Sequence, residues 1–306
     1  MRTLVIGAGS TGGYFGGRLA AAGRDVTFLV RPGRAARLRA DGLVIHSPHG
    51  NLRLTPKLVT ADALTDDYDL VLFTVKAYAA EQAIADIAPA IGPDTMILPM
   101  LNGMRHIDLL TERYSDKAVL GGVCLVATVL DADGSVHQLT GLQELAYGDR
   151  QDPGSARIHD VHAGLTDAGF TARLSDDIVM EMWEKWVFLA SIGAVTCLMR
   201  GSVGQVVAAA GGREFAERVV AECAAVAAAS GQPVSDSALN RTLATVTEAG
   251  ATTNSSMYRD LQQGNPVEAD HIIGDLIDRA RQHGVDVPLL RLTYTHLSVY
   301  QSSVAG

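Results

Sequence analysis

Residues 1–17 read MRTLVIGAGSTGGYFGG, and this stretch decides the fold that we expect. Residues 4–6 form a short apolar run, which is typical of a buried strand. A helical pattern containing Tyr14, Leu19 and Ala20 follows and continues to Gly23. The sequence therefore predicts a strand, a tight turn and a helix at the start of a dinucleotide-binding domain.

The turn between this strand and helix reads G-x-G-x-x-G. In this setting Gly7 allows the tight turn, Gly9 lets a pyrophosphate approach the backbone, and Gly12 lets the helix pack on the strand. The helix N-terminus, with Ser10 and Thr11, presents N–H groups and a partial positive charge to the phosphates. We therefore predict that these five residues bind a dinucleotide cofactor; the alternative is a merely glycine-rich turn.

Composition limits the classes of protein that this chain can belong to. The chain has 306 residues, 47% hydrophobic and 19% charged, which predicts about two domains with real cores. A net charge of −9 argues against a nucleic-acid or anionic-membrane surface. Its N-terminus shows no leader pattern, and the three cysteines show no C-x-x-C spacing. We expect a cytoplasmic protein with buried thiols, no metal site, no membrane partner and no nucleic-acid partner.

The end of the second predicted strand indicates which cofactor binds. Residues 25–30 form this strand, and Arg31 follows where an NAD-selective site has an acidic side chain. A guanidinium there suits a 2′-phosphate, so NADP(H) is favoured. Arg34 and Arg37 are interpreted mainly as solvated helix charges.

Polar residues follow the next two apolar runs in the same way. Lys76 follows the apolar run at residues 70–75, and Asn102 follows the run at residues 96–101. Ligands of open α/β sheets bind beyond the carboxyl ends of the strands. We therefore expect one crevice to collect Gly7, Arg31, Lys76 and Asn102.

The remaining pattern places a domain boundary near residue 175. Residues 43–46 and 52–54 predict a hairpin outside the main sheet, and residues 119–127, 135–139 and 144–147 are predicted to complete that sheet. A helix from residue 153 to 165 and a last strand at 170–174 follow. From residue 176 onward the pattern is helical. The expectation is α/β: a Rossmann-type parallel-sheet domain over 1–175, then an all-helical substrate domain over 176–306.

Lys185 is the candidate proton donor of the helical part. A carbonyl that accepts hydride needs an acid or cation near its oxygen. Lys185 lies between Trp183 and Trp186 on an apolar helix, where its ammonium would be partly desolvated. The alternative is an ordinary surface ion pair with Glu181, one helical turn earlier.

Taken together, these motifs resemble those of the ketopantoate reductases (2-dehydropantoate 2-reductases), NADPH-dependent members of the 6-phosphogluconate dehydrogenase-like group. The resemblance spans essentially the whole chain and implies an active site between a Rossmann domain and a helical domain. It rests on the glycine motif together with Val75-Lys76-Ala77, Asn102-Gly103-Met104, Trp183-Glu184-Lys185, Asn254-Ser255-Ser256-Met257 and Glu268.

The resemblance implies a role for each matched residue. Lys185 is similar to the family's general acid, and Glu268 to the acidic residue that orients the lysine and the substrate. Ser256 resembles the hydroxyl that holds the substrate carboxylate. Lys76 and Asn102 resemble residues that position nicotinamide and substrate. Arg31 resembles the residue that contacts the 2′-phosphate. Family members often form dimers, so the resemblance also implies a possible homodimer.

Three positions depart from the family pattern. Ketopantoate-reducing members have asparagines where this chain has Leu189, Gly193 and Val203, so we expect a more apolar substrate pocket. The leading expectation is NADPH-dependent reduction of ketopantoate to pantoate. The alternatives are a paralogue that reduces a less polar ketone, oxo acid or imine, and a catalytically silent NADP(H)-binding sensor.

Overall fold

A computed structural model describes residues 1–304 of the chain. The described chain divides into two compact units. One consists of Met1–Leu101 and His106–Val179, and the other of Asn102–Arg105 and the residues from Met180 onward. The predicted boundary between residues 175 and 176 lies just before this division, and the domain assignment stays a prediction.

The first unit is built from strands and helices that alternate along the chain. In order they are β1 (Arg2–Ile6), α1 (Ser10–Ala21), β2 (Asp25–Leu29), α2 (Pro32–Asp41), β3 (Leu43–His46), β4 (Leu52–Leu54), β5 (Lys57–Val59), β6 (Leu70–Phe73), α3 (Ala80–Asp86), β7 (Met96–Pro99), α4 (Arg105–Tyr114, whose first residue packs with the second unit), β8 (Gly121–Leu130), β9 (Val136–Gly148), α5 (Ala156–Leu165) and β10 (Thr171–Leu174).

Five of these strands form a parallel sheet in the order β5-β2-β1-β6-β7. In its centre Ile6 pairs with Leu29 on one side and with Phe73 on the other. Strands β1, β6 and β7 are almost continuously apolar because a parallel sheet is covered on both faces. The Rossmann-type sheet predicted from the first seventeen residues is confirmed.

A second sheet contains the strands that were predicted to complete the first one, and that prediction is wrong. Strand β8 pairs with β9 in a long antiparallel hairpin, and β9 also pairs with β10 and β3. Only Val119, ahead of β8, makes an isolated bridge to Ile97 of the parallel sheet. The hairpin β3–β4 is formed as predicted, and it belongs to this second sheet. The predicted helix from residue 153 begins at Ala156, since residues 153–154 form a turn.

Helix α1 lies between the two sheets and approaches both through its glycines. A Cβ atom on Gly16 would lie 2.7 Å from the ring of Phe28 in the first sheet. A Cβ atom on Gly17 would lie 2.5 Å from Ile45 Cδ1 in the second. The paired glycines of the opening stretch are therefore the residues that let a helix backbone contact both layers.

The second unit is helical, as the sequence predicted. Its first helix, α6, is long and apolar enough by composition to cross a bilayer, but 67% of its most apolar 18-residue stretch is buried inside the protein. Such burial is typical of a core helix. The unit's elements are α6 (Ile178–Met199, which starts in the first unit), α7 (Val203–Ala208), α8 (Gly212–Ala229), α9 (Asp236–Val246), α10 (Ser256–Gln262), a π-helical turn (Asp270–Gly274), α11 (Asp275–Gln282) and α12 (Pro288–Val304).

The burial of the thiols gives a first testable prediction. Burial raises the pKa of both Cys197 and Cys223 to about 12, whereas Cys124 is only half-buried. At about pH 8 roughly one in 10⁴ of the two buried thiols is ionised, and the thiolate is the reactive form. We expect an aromatic disulfide reagent to modify only Cys124 quickly in the native protein, and all three cysteines in denaturant.

The matched control is Cys124→Ser, which should leave no fast-reacting thiol in the native state. Rapid modification of Cys197 or Cys223 in the folded protein would contradict the burial of these side chains.

Candidate functional site

The glycine-rich loop joins β1 to α1 with the geometry of a phosphate-binding turn. Gly7 has a φ of +91°, a left-handed conformation that favours glycine, and its N–H donates to the Leu29 carbonyl at 2.9 Å. Gly9 is the N-cap of α1, and no acidic side chain lies in the first helical turn. The positive end of the helix is thus not neutralised by a carboxylate of that turn.

Gly12 allows the close packing that the motif predicts. A Cβ atom there would lie 2.2 Å from Thr74 Oγ1 and 2.3 Å from the Gly7 carbonyl oxygen. Thr74, just beyond β6, donates its hydroxyl to the Ile6 carbonyl at 2.7 Å. The helix start, the loop and two strand ends are therefore held against one another.

The loop fits the pyrophosphate of a dinucleotide. Apart from the adjoining residues, nothing in residues 1–304 lies within 4 Å of the Cβ positions of Gly7 and Gly9, so open space faces the backbone where the motif requires it. The amides of a first helical turn have no acceptor within the helix and point out of its N-terminus. Ser10 and Thr11 are half-buried at this point. The residues present thus suit an anionic group at the N-terminus of α1.

The three arginines near the end of β2 differ in environment. Arg31 is exposed and is the N-cap residue of α2, and its contact with a 2′-phosphate stays a prediction. Arg34 is half-buried and donates to the Ala8 carbonyl from Nε (3.1 Å) and Nη2 (2.9 Å), and to the Gly134 carbonyl at 2.9 Å. Burial lowers the pKa of Arg34, and the charge of Arg37 lowers it further.

The interpretation of Arg34 as a solvated helix charge is therefore wrong. Its guanidinium ties the glycine-rich loop to the turn of the β8–β9 hairpin. Arg37, although exposed, also donates to that turn, at the Ala132 carbonyl, 3.0 Å away. The sequence pattern missed these contacts because the hairpin lies about a hundred residues further along the chain.

The predicted residues at the strand ends fall into both units. The strand order places the carboxyl ends of β2, β1, β6 and β7 at one edge of the parallel sheet. Gly7, Arg31 and the exposed Lys76 follow three of these strands within the first unit. Asn102 follows the fourth, but its segment Asn102–Arg105 packs with the helical unit. The collection of all four residues in one crevice stays a prediction.

Lys185 lies half-buried on α6 between two buried tryptophans. The rings of Trp183 and Trp186 are 4.9 Å apart, and the guanidinium of Arg279 lies 5.6 and 5.5 Å from their centres. Two aromatic side chains therefore flank Lys185 in the helix, and a second cation lies on their rings. The desolvation of the Lys185 ammonium and its role as an acid stay predictions.

Glu184, next to Lys185, fixes α6 to the start of α9. Its carboxylate accepts hydrogen bonds from the backbone N–H (3.2 Å) and the hydroxyl of Ser235, the N-cap of that helix. It also lies 3.8 Å from the guanidinium of Arg241. Glu184 therefore helps to set the position of the helix that carries Lys185.

Glu268 lies half-buried just before the π-helical turn, and two other predicted segments meet that turn. Its carbonyl accepts the Ile272 N–H at 3.1 Å. The Trp186 indole, next to Lys185, donates to the Ile272 carbonyl at 3.0 Å. Gly103, next to Asn102, approaches the His271 carbonyl so closely that a Cβ atom would lie 2.5 Å from it. The helical unit thus brings the segments of Lys185, Asn102 and Glu268 to one turn.

Ser256 is the exposed first residue of α10, and its neighbour Ser255 has a structural role. Ser255 is buried, caps the helix by accepting the Tyr258 N–H at 3.0 Å, and hydrogen-bonds the Thr196 hydroxyl of α6 at 2.9 Å. Within this pair of serines, the hydroxyl of Ser256 therefore faces solvent while that of Ser255 holds the helix.

The three positions that depart from the family pattern are buried or half-buried. Val203 is fully buried at the start of α7, and Leu189 is half-buried on α6. Gly193 is also buried, and a Cβ atom there would lie 2.7 Å from the terminal methyl of Met257. A larger side chain at position 193 would have to displace this flexible methionine.

Comparison with known proteins matches the chain along most of its length. Residues 3–152 match the family model described as ketopantoate reductase PanE/ApbA, and residues 177–301 match the C-terminal model of the same family. The chain is 34% identical over 302 residues to an uncharacterized oxidoreductase, YkpB, of Bacillus subtilis, covering 99% of both chains. It is 32% identical over 296 residues to a 2-dehydropantoate 2-reductase of Halobacterium salinarum, covering 95% of this chain and 96% of the relative.

Solved structures share the fold. A PanE/ApbA family ketopantoate reductase from Ralstonia eutropha superposes with a TM-score of 0.89 at 25% identity, over 100% of both chains. A D-mandelate dehydrogenase solved with NADH and anilino(oxo)acetate has a TM-score of 0.88 at 21% identity, also over the full length of both chains.

The contacts of Arg34 predict a stability effect. Arg34→Met keeps an unbranched side chain of moderate length but removes the three hydrogen bonds to the Ala8 and Gly134 carbonyls. We expect the free energy of unfolding to fall by about 1–3 kcal/mol, measured by urea denaturation, because buried carbonyls lose a charged donor.

The matched control is Arg31→Met, at an exposed position on the same segment. It should leave the unfolding free energy nearly unchanged and weaken the binding of NADPH more than that of NADH. Equal destabilisation by the two substitutions would show that the Arg34 contacts do not hold the loop.

Proposed function

The chain belongs to the ketopantoate reductase PanE/ApbA family, and on that premise we propose that it reduces 2-dehydropantoate (ketopantoate) to pantoate, a step of pantothenate biosynthesis. Membership of this family makes the chain an NADP(H)-dependent oxidoreductase that acts on a C=O or CH–OH group. The proposal concerns the 2-oxo acid substrate and the residues that act on it.

One observation carries the proposal: the residues next to Lys185 and Asn102 contact the same π-helical turn of the helical unit, and Glu268 bonds to that turn through its own carbonyl. Trp186 follows Lys185 and binds the Ile272 carbonyl, while Gly103 follows Asn102 and packs on His271. A cationic amine, an amide and a carboxylate held by one rigid element can bind and polarise the carbonyl of a small acid.

Different residues of the chain donate the proton, orient the donor and bind the substrate. When bound, NADPH would supply the hydride. Lys185 donates a proton to the carbonyl oxygen as negative charge develops there, and Glu268 orients the ammonium and keeps it charged. The hydroxyl of Ser256 and the amide of Asn102 hydrogen-bond the substrate.

The cofactor-binding residues are proposed from the loop geometry. Gly7, Gly9 and Gly12 shape the turn, and Ser10 and Thr11 present the helix N-terminus to the pyrophosphate. Arg31 pairs with the 2′-phosphate, and Lys76 helps to position the nicotinamide and the substrate.

The surroundings of Gly193 favour a second candidate substrate class. Met257 covers this position with a methyl group, and Leu189 and Val203 offer no hydrogen bond from their side chains. An apolar wall suits a ketone, oxo acid or imine with an apolar substituent in place of the polar chain of ketopantoate.

Removal of the amine tests the role of Lys185. We expect Lys185→Ala to lower kcat for ketopantoate reduction by about 10²- to 10⁴-fold, because the alkoxide loses its proton donor. NADPH consumption is followed at saturating cofactor. Lys57→Met, which removes an exposed lysine paired with Asp25, is the control and should keep full activity. Turnover near the wild-type rate in Lys185→Ala would refute the assignment.

A substrate panel separates the two classes of carbonyl. If the first proposal is correct, kcat/KM is highest for ketopantoate; a higher value for an apolar ketone, oxo acid or imine would favour the second. Gly193→Asn should move the preference toward the polar acid, because it restores a hydrogen-bonding side chain at a cost of about 1–3 kcal/mol in overpacking. NADPH binding without turnover of any tested carbonyl would support a sensor instead.

A further inference from the structure

The π-helical turn Asp270–Gly274 begins two residues after Glu268 and has a wider backbone than an α-helix. Its defining bond is the N–H of Asp275 donating to the carbonyl of Asp270, five residues earlier. Turns of this type are rare in proteins and often occur at functional sites. Because the Glu268 carbonyl is hydrogen-bonded to Ile272 of this turn, a contact that fixes the turn also fixes the backbone of Glu268.

Trp186 supplies such a bond from α6. Its indole is 1% exposed, and the Nε1–H donates to the Ile272 carbonyl at 3.0 Å. An indole N–H can only donate, and it needs an acceptor once it is buried. The ring is further held by Trp183 and by Arg279, which pairs with Asp275 at the end of the same turn.

Two other elements contact the turn from different sides. Gly103, with a φ of +79°, lies so close to the His271 carbonyl that only glycine fits. The hydroxyl of Tyr294 on α12 donates to the Asp270 carboxylate at 2.6 Å. The turn is therefore clamped by the segments that flank Asn102 and Lys185 and by the last helix.

Ile272 links the indole directly to Glu268. Its N–H donates to the Glu268 carbonyl at 3.1 Å, and its own carbonyl accepts the Trp186 N–H. Two hydrogen bonds through one residue thus connect the backbone of Glu268 to the side chain that follows Lys185.

We propose that Trp186 is a positioning residue whose indole N–H, through Ile272 and the π-helical turn, fixes Glu268 relative to Lys185. The inference rests on the roles proposed above for these two residues. Trp186 itself touches neither substrate nor cofactor in this assignment; it sets the geometry in which the carboxylate orients the ammonium.

The test compares two variants of the full-length chain that lose the same side-chain volume at neighbouring buried positions. Trp186→Phe keeps an aromatic ring but removes the donor, and Trp183→Phe changes the neighbouring ring on the same helix. We expect Trp186→Phe to lower kcat for ketopantoate by about 10- to 100-fold, since small misplacements of catalytic groups have effects of this size. Its KM for NADPH should change by less than about twofold, because the loss is confined to the chemical step. Trp183→Phe, which loses the same volume but keeps the bond from the Trp186 indole to Ile272, should lower kcat clearly less than Trp186→Phe does, and equal losses in the two variants would contradict the inference.

A double-mutant cycle distinguishes positioning from a general packing defect. If the indole acts through Glu268, Trp186→Phe should lower kcat little further in a Glu268→Gln background. Amide hydrogen exchange gives a readout apart from activity: residues 270–275 should exchange faster in Trp186→Phe than in Trp183→Phe. If Trp186→Phe does not fold, Gly103→Ala perturbs the same turn at His271, and the same cycle with Glu268→Gln applies.

Each outcome decides the inference. A wild-type kcat in Trp186→Phe would overturn the inference, and so would losses of kcat that multiply fully when Trp186→Phe is combined with Glu268→Gln. If Lys185→Ala is inactive in the same experiments, the proposed function still stands. Turnover in Lys185→Ala would instead refute the proposed function, and with it the positioning of Glu268 for that amine. Faster exchange together with a non-additive loss of kcat supports the inference.

Discussion

The first unit depends on a helix backbone that approaches its neighbours without intervening side chains. At Gly12, Gly13, Gly16 and Gly17 of α1 an added methyl group would overlap a strand side chain, a loop carbonyl or a threonine hydroxyl. Two sheets and the glycine-rich loop can therefore pack on one helix. The N-terminus of that helix is fixed before any ligand arrives, and amides held in this way need no reorganisation when an anion binds.

In the second unit, several segments meet at the π-helical turn Asp270–Gly274. The segments of Asn102 and Lys185 contact this turn through Gly103 and Trp186, and Glu268 lies two residues before it. Glu184 and Ser255 attach α6 to α9 and α10 respectively. Polar groups on rigid, mutually braced elements are suited to stabilising charge that develops during a reaction.

Much of the fold could be predicted from the sequence because its strongest signals are local. The glycines of the opening stretch each have a steric reason, and the apolar runs at β6 and β7 are typical of buried parallel strands. The second sheet was not predictable in this way: β8 and β9 form a local hairpin, but β9 also pairs with β3, which lies far earlier in the chain. Apolar patterning identifies a strand but does not specify which sheet it joins.

The sequence proposes residues for the candidate site but does not indicate the contacts that hold their segments in place. Arg34 appears as one of several charges on α2, and its link to the hairpin turn depends on residues far along the chain. Trp186 appears as an ordinary core residue, because the π-helical turn that accepts its N–H has no pattern distinct from an α-helix. The catalytic and binding roles of Lys185, Glu268 and Ser256 stay predictions until they are tested.

The glycines of α1 also bear on attempts to make the protein more heat-resistant. Replacing helical glycines by alanine commonly raises thermostability by about 0.4–1 kcal/mol, because the unfolded chain loses freedom. On α1 that strategy would force apart the layers that the helix joins. On α2, nothing in residues 1–304 other than the adjoining chain lies within 4 Å of the Cβ position of Gly33. Gly33→Ala is therefore the better first substitution for raising thermostability.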